Sequence, residues 1–123
     1  MILYSIYMKI AIVGTRTFTD YGLLQSSVTE IIPIDSITEI VSGGAKGADA
    51  LAKRYAKDNN IKYVEFPARW NLYGKMAGPK RNEEIAKYVD ILIAFWDGSS
   101  IGTRNVINWG HRKNCIVHVI YYK

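Results

Sequence analysis

The alternation of short apolar runs with segments of helical spacing is the feature that most restricts the fold of this chain. The runs are residues 9–13 (KIAIV), 38–41 (TEIV), 61–66 (IKYVEF), 90–95 (DILIAF) and 115–120 (CIVHVI). Several are nearly continuous in apolar residues, which is typical of strands covered on both faces. Strands that alternate with helices predict a parallel sheet with right-handed crossovers.

The segments between these runs predict helices. Asp20 suits the N-cap of the first helix. The second helix is marked by an apolar stripe at Ala48, Leu51, Ala52, Tyr55 and Ala56. A third is expected to follow Pro79, which suits a first-turn position, and a fourth to span about residues 102–112. We therefore predict an α/β fold, a Rossmann-like three-layer sandwich around a mainly parallel five-stranded sheet.

A chain of 123 residues is long enough for one domain with a substantial core and too short for two. We assign the domain to residues 8–123 and interpret residues 1–7 as an N-terminal extension, because Met8 begins the first strand-like run. Residues 1–7 lack the basic start and cleavage site of a secretory signal. No apolar run approaches the roughly 20 residues of a membrane-spanning helix. The single cysteine, Cys115, is expected in a buried strand. These features predict a cytoplasmic protein.

The charge balance favours anionic partners. The net charge of +5 does not by itself choose among nucleotides, nucleic acid and plain solubility. His111 and His118 are seven residues apart, across a predicted helix and strand, which is not the spacing of metal ligands. We expect neither a metal nor a cofactor.

The loops after the first four strands hold most of the glycines. They read GTRTFTD (14–20), SGGAKGAD (42–49), PARWNLYGKMAGPKRN (67–82) and WDGSSIGTRN (96–105). Because ligands of such sheets bind beyond the carboxyl ends of the strands, at the point where strand order reverses, these loops are the candidate site. The longest irregular stretch is residues 67–77, and long loops in compact domains are often functional.

Basic residues stand where helices are predicted to begin. Helix N-termini disfavour cations, yet Lys46, Lys80, Arg81 and Arg104 lie at these positions, and Arg16 lies in the first loop. Helical spacing from Arg81 to Ile85, Tyr88 and Val89 places this arginine on the core-facing side. An anionic ligand would remove the repulsion between these basic side chains and the positive ends of the helices. The alternative is that Arg81 pairs with Asp97, Asp49 or Asp20 while the lysines are solvated.

The glycine loop fits neither common phosphate-binding pattern. Lys46 precedes Gly47, whereas the phosphate loop of nucleoside triphosphatases has lysine after its last glycine. The dinucleotide fingerprint belongs after the first strand, whereas this loop follows the second. We expect the N–H groups of Gly43 and Gly44 to approach a ligand and Gly47 to let the helix pack on the sheet. The alternative is a tight strand-to-helix turn.

Four segments resemble one family. GTRTFTD, SGGAKGADALAKRYA, PARWNLYGKMAGPKRN and DILIAFWDGSSIGTRNVI are similar to the YspA and YpsA-related branch of the SLOG superfamily. The resemblance implies a Rossmann-like fold with a pocket for nucleotides or nucleotide-derived molecules, and a homodimer. Its Lonely Guy enzymes cleave N-glycosidic bonds with an arginine, which Arg81 would match, and a glutamate. In those enzymes the glutamate follows a Gly-Thr pair by three residues. Gly102 and Thr103 match that pair, but Val106 stands at the position of the glutamate.

The leading hypothesis is a protein that binds a phosphorylated nucleotide or nucleotide-derived signal, ADP-ribose-like or a cyclic nucleotide, as a sensor or sequestering protein. The alternative is a phosphoribohydrolase-like nucleotide N-glycosidase with Arg81 as catalytic residue. Single-stranded nucleic-acid binding ranks third, because the cations suit a small pocket rather than a stripe. The expected ligand-binding residues are Gly14, Thr15, Arg16, Ser42, Gly43, Gly44, Lys46, Gly47, Asp49, Trp70, Lys75, Arg81, Asn82, Trp96, Asp97, Gly98, Ser99, Ser100, Gly102, Thr103 and Arg104.

Overall fold

The fold was analysed in a computed structural model that describes residues 7–122. Its strands are β1 (Met8–Gly14), β2 (Ile37–Ser42), β3 (Lys62–Glu65), β4 (Ile91–Trp96) and β5 (Ile116–Tyr121). Its helices are α1 (Tyr21–Ile31), α2 (Ala48–Asp58), the short α3 (Trp70–Tyr73), α4 (Ala77–Tyr88) and α5 (Ile101–Arg112). Single turns of 3-10 helix occur at Ile34–Ser36 and Gly74–Met76. The predicted alternation of strands and helices is confirmed.

The sheet has the order β3-β2-β1-β4-β5, and all four strand pairings are parallel. The chain proceeds outward from β1 to β3 and then returns to the other side of β1 for β4 and β5. The strand order therefore reverses between β1 and β4, and their carboxyl ends form the crevice where ligands of such sheets bind. The Rossmann-like prediction is confirmed.

Two apolar cores cover the two faces of the sheet. On one face α1 and α2 pack through residues such as Leu24 and Tyr55, and Phe18 stacks on Phe95 of β4 with ring centroids 4.8 Å apart. On the other face, Ile85 of α4 packs with α5 against β1 and β4. The alternating faces of the strands therefore give three layers, and the central strands are buried on both sides.

Several predicted boundaries need correction. Helix α4 begins at Ala77, two residues before Pro79; the proline lies in the first turn, where its missing N–H costs no helical hydrogen bond. Part of the stretch predicted as irregular forms α3 and a 3-10 turn. Cys115 is half-buried and precedes β5 instead of lying in it, and its thiol donates to the carbonyl of Ala86 at 2.9 Å. Asp20 caps α1 as predicted, since its Oδ1 accepts the N–H of Leu23 at 2.9 Å.

Three other expectations concern the ends and surface of the chain. Of the expected extension, residues 1–6 lie outside the described residues, and Tyr7 is exposed. Within residues 7–122 no helix is long and apolar enough to cross a membrane. In the same part of the chain, no group of three His, Cys, Asp or Glu side chains is arranged to hold a metal ion.

Candidate functional site

A cavity of about 290 Å³ lies at the carboxyl ends of β1, β2 and β4. Its wall comes from the β1–α1 and β2–α2 loops, the first turn of α2, the middle of α4 and the N-terminal half of α5. The lining residues are Val13, Gly14, Thr15, Arg16, Gly43, Ala45, Asp49, Arg81, Asn82, Ile85, Ser100, Gly102, Thr103 and Val106. The cavity therefore lies where strand order reverses, with an apolar floor and a polar wall that holds two arginines and one aspartate.

The glycine loop after β2 is closed by a carboxylate of the protein itself. Asp49 Oδ2, in the first turn of α2, accepts the N–H of Gly43 at 2.9 Å and the N–H of Ala45 at 3.3 Å. The N–H of Gly44 is 3.5 Å from the hydroxyl of Ser42. In this structure the N–H of Gly43 is directed at Asp49 and that of Gly44 at Ser42, and the approach of a ligand to these N–H groups stays a prediction.

Burial and charge act in opposite directions on Asp49. The side chain is almost fully buried, and this burial raises the pKa of its carboxyl group. The N–H groups of Ala45 and Gly43, the positive charge of Arg81 and the N–H of Gly14 all favour the ionised form and oppose the rise. The carboxylate thus links the two loops that form the cavity and opposes the charge of Arg81, a half-buried cation in the cavity wall.

Arg81 faces the cavity from the second turn of α4, as the helical phase predicted. Its Nη1 donates to the carbonyl of Gly43 at 2.8 Å, and its Nε donates to Oδ1 of Asn82 at 2.9 Å. Burial lowers the pKa of Arg81; Asp49 counteracts this, and the nearby charge of Arg16 adds to it. None of the ion pairs within residues 7–122 includes Arg81. The expected alternative, a direct ion pair between Arg81 and an aspartate, is therefore not formed, and Asp49 affects Arg81 only through its charge.

Gly47 brings the first loop against the start of α2. Its φ of +72° lies in the region that side chains disfavour, and a Cβ there would be 2.4 Å from the carbonyl oxygen of Thr15 and 2.5 Å from that of Arg16. With α2 packed on the sheet through residues such as Ala52, the absence of a side chain at Gly47 therefore lets the start of this helix approach the β1–α1 loop. This contact holds Arg16 at the rim of the cavity.

The loop after β4 is also organised by its own side chains. Asp97 Oδ1 accepts the N–H groups of Ser99 and Ser100, both at 2.8 Å. Ser100 caps α5, since its hydroxyl accepts from the N–H of Thr103 at 3.5 Å and from the Thr103 hydroxyl at 3.2 Å. Ser100 and Thr103 are both among the expected ligand-binding residues, and both line the cavity. Here their hydroxyls bond to one another, and the first turn of α5 at Gly102 and Thr103 remains at the cavity.

Comparison with known proteins identifies the family. Residues 8–73 match the model of the YspA, cpYpsA-related SLOG family, YAcAr. The chain belongs to this family. It is also similar to the Gene 61 protein of Mycobacterium phage D29, with 31% identity over 106 residues that cover 79% of this chain and 83% of that protein. No solved structure matches the chain. Membership of the SLOG family suggests a nucleotide-related ligand-binding role.

Several residues predicted for the site of this SLOG protein do not line its cavity. Trp70 is 57% exposed on α3, and Trp96 donates its indole N–H to the carbonyl of Ser100 and lies beside Arg104. Ser42 is fully buried and shares a hydrogen bond with the Tyr63 hydroxyl. The others outside the lining are Gly44, Lys46, Gly47, Lys75, Asp97, Gly98, Ser99 and Arg104. Neither tryptophan contributes a stacking surface inside the cavity.

The apolar floor of the SLOG cavity was missed. Val13, Ile85 and Val106 line it together with Ala45. A signal for two of them was present, because Ile85 follows Arg81 by four residues and Val106 follows Gly102 by four, so each pair shares a helix face. Val13 gave no such signal, since the last residue of a buried strand is also an ordinary core position.

Proposed function

We propose that this SLOG protein binds a phosphorylated nucleotide or a nucleotide-derived molecule, such as an ADP-ribose-like or cyclic nucleotide, and acts as a sensor or sequestering protein. The observation that carries the proposal is the pair of arginines, Arg16 and Arg81, at one cavity whose buried carboxylate is already bonded to loop N–H groups. Two cations at one opening repel each other, and an anion between them would remove that repulsion.

The first turn of α5 supports the same assignment. Gly102 and Thr103 belong to this turn and line the cavity. The N-terminus of a helix carries a partial positive charge and N–H groups that suit phosphate. A phosphate held between this turn and Arg16 would receive charge-assisted hydrogen bonds, which are stronger than neutral ones.

The size of the cavity suits one nucleotide unit. Small-molecule sites typically have volumes of about 300–1,000 Å³, and the volume of about 290 Å³ is at the lower limit. The apolar floor at Val13 and Ile85 provides a surface for a base or sugar. A larger ligand would extend from the cavity into the surrounding groove.

Binding is favoured over hydrolysis by the carboxylates in the cavity wall. Val106, at the position where the Lonely Guy enzymes have glutamate, is 3% exposed and lines the cavity with an apolar side chain. The carboxylate that does line the cavity, Asp49, accepts hydrogen bonds from Gly43 and Ala45. A general base or nucleophile needs lone pairs directed at the substrate, and Oδ2 of this carboxylate accepts hydrogen bonds from the glycine loop instead.

Calorimetry with nucleotides tests the proposal. The panel contains the four nucleoside 5′-monophosphates, ADP-ribose and cyclic mononucleotides, and at least one should bind with micromolar or tighter affinity. Arg16→Ala should weaken that binding about tenfold, as expected for one lost charge-assisted bond. Arg112→Ala is the matched control, because this exposed arginine lies at the opposite end of α5. A panel that produces no heat at millimolar concentration would contradict the proposal.

Chromatography of the same mixtures separates binding from catalysis. We expect the nucleotides to remain intact after long incubation with pure protein. Release of a free base or of ribose 5-phosphate, lost on Arg81→Ala, would instead support the phosphoribohydrolase alternative.

A further inference from the structure

A second, shallow groove lies beside the cavity and shares Arg81 with it. Arg69, Tyr73, Lys80 and Glu84 line this groove together with Arg81. The segment that forms most of it, residues 66–82, contains four basic residues and no acidic one. The groove therefore has three cations and one carboxylate in its wall and adjoins the cavity at Arg81. It encloses only about 10 Å³, so a phosphate bound there would lie at the open surface of the protein.

Two cations of the groove, Arg69 and Lys80, form no ion pair with a carboxylate in the described residues, whereas Arg81 is opposed by the charge of Asp49. Lys80 and Glu84 are four residues apart on α4, a spacing that commonly forms an ion pair. Glu83 and Lys87, on the same helix, form such a pair at 3.8 Å. Lys80 instead places its Nζ 4.8 Å from the centre of the Tyr73 ring. None of the ion pairs found within residues 7–122 includes Arg69 or Lys80.

We propose that this groove is a second anion subsite of the ligand site, and that the ligand is a nucleotide carrying two separated phosphate groups. One phosphate lies in the cavity at Arg16, the other lies in the groove at Arg69 and Lys80, and Arg81 stands between them. Because Arg81 lines both the cavity and the groove, the two sites adjoin, and a ligand larger than the cavity could extend from one into the other. This inference rests on the proposed function, because it names the ligand class of the same site.

The test compares nucleoside 5′-monophosphates with nucleoside 3′,5′-bisphosphates, for each of the four bases, by calorimetry at low ionic strength. The bisphosphate of the preferred base should bind about tenfold more tightly than its monophosphate. Lys80→Ala should remove most of this advantage and leave monophosphate affinity unchanged. Lys75→Ala is the matched control, since Lys75 is an exposed lysine of the same segment that does not line the groove.

Glu84→Gln provides a test in the opposite direction. This substitution removes the carboxylate that borders the groove and should increase the advantage of the bisphosphate, again without effect on the monophosphate. Equal affinities for the two nucleotides, or equal effects of Lys80→Ala and Lys75→Ala, would overturn the second subsite and leave the proposed function intact. Failure of every mono- and bisphosphate to bind would overturn both.

Discussion

The carboxylate of Asp49 accepts the backbone N–H of Gly43 at 2.9 Å and so occupies the position in the glycine loop that a phosphate would be expected to take. The loop is thereby closed from the side of α2. Arg81 Nη1 donates to the carbonyl of the same glycine at 2.8 Å, and the Arg81 side chain lines the cavity. The loop is thus a rigid support that positions an arginine.

Removal of the Asp49 carboxylate should destabilise the fold. Asp49→Ala leaves the N–H groups of Gly43 and Ala45 without their acceptor and the half-buried Arg81 without its opposing charge. We expect the free energy of unfolding in urea to fall by roughly 2–4 kcal/mol. Glu30→Ala, which removes an exposed carboxylate near the end of α1, should cost less than about 1 kcal/mol. Equal costs would contradict the bridging role of Asp49.

The same residue predicts a pH dependence. Burial raises the pKa of the folded Asp49 carboxyl group above the ordinary value of 3.8, so the folded protein holds this proton more tightly than the unfolded chain. The resulting stabilisation is present below that value and is lost as pH rises through the folded pKa. The unfolding free energy of the wild type minus that of Asp49→Asn should therefore fall with rising pH and then level off. Urea titrations between about pH 4 and pH 7 measure this difference, and an increase would refute the direction.

Gly47 should not tolerate a side chain. In Gly47→Ala the new Cβ would meet the carbonyl oxygens of Thr15 and Arg16 at 2.4 and 2.5 Å, in a backbone conformation with φ +72°. We expect a loss of roughly 2–4 kcal/mol in unfolding free energy, from strain and overpacking together. Gly22→Ala in α1, where the Cβ is 3.5 Å from Asp20 Oδ1, should instead gain about 0.5–1 kcal/mol from helix propensity.

A carboxylate at the floor of the cavity should oppose the ligand. Val106→Glu introduces a negative charge among the lining residues, whereas Val106→Gln adds a side chain of the same shape without charge. Phosphorylated ligands should bind at least about tenfold more weakly to the Glu variant than to the Gln variant, because like charges repel across a desolvated contact. Calorimetry measures the difference, and circular dichroism verifies that both variants fold. Equal affinities of the Glu and Gln variants for the ligand would mean that the phosphate does not bind near Val106.

The sequence by itself determined the layers, the strands and the edge at which the cavity lies. Periodicity states which face of a strand or helix is apolar, so the runs at β1 and β4 and the inward phase of Arg81 on α4 followed from spacing alone. Asp20 was also identifiable as a cap, because its partner, Leu23, is three residues away. Local relationships of this kind need no knowledge of the rest of the chain.

Only the tertiary structure decided which loop groups are available to a ligand. Whether the Gly43 N–H meets Asp49 or solvent depends on how α2 is placed against β2, and whether Trp96 faces the cavity depends on its bond to Ser100. Such contacts depend on loop conformation, where backbone direction has no fixed period. The groove at Arg69 and Lys80 likewise exists because a segment without obvious periodicity folds back against α4.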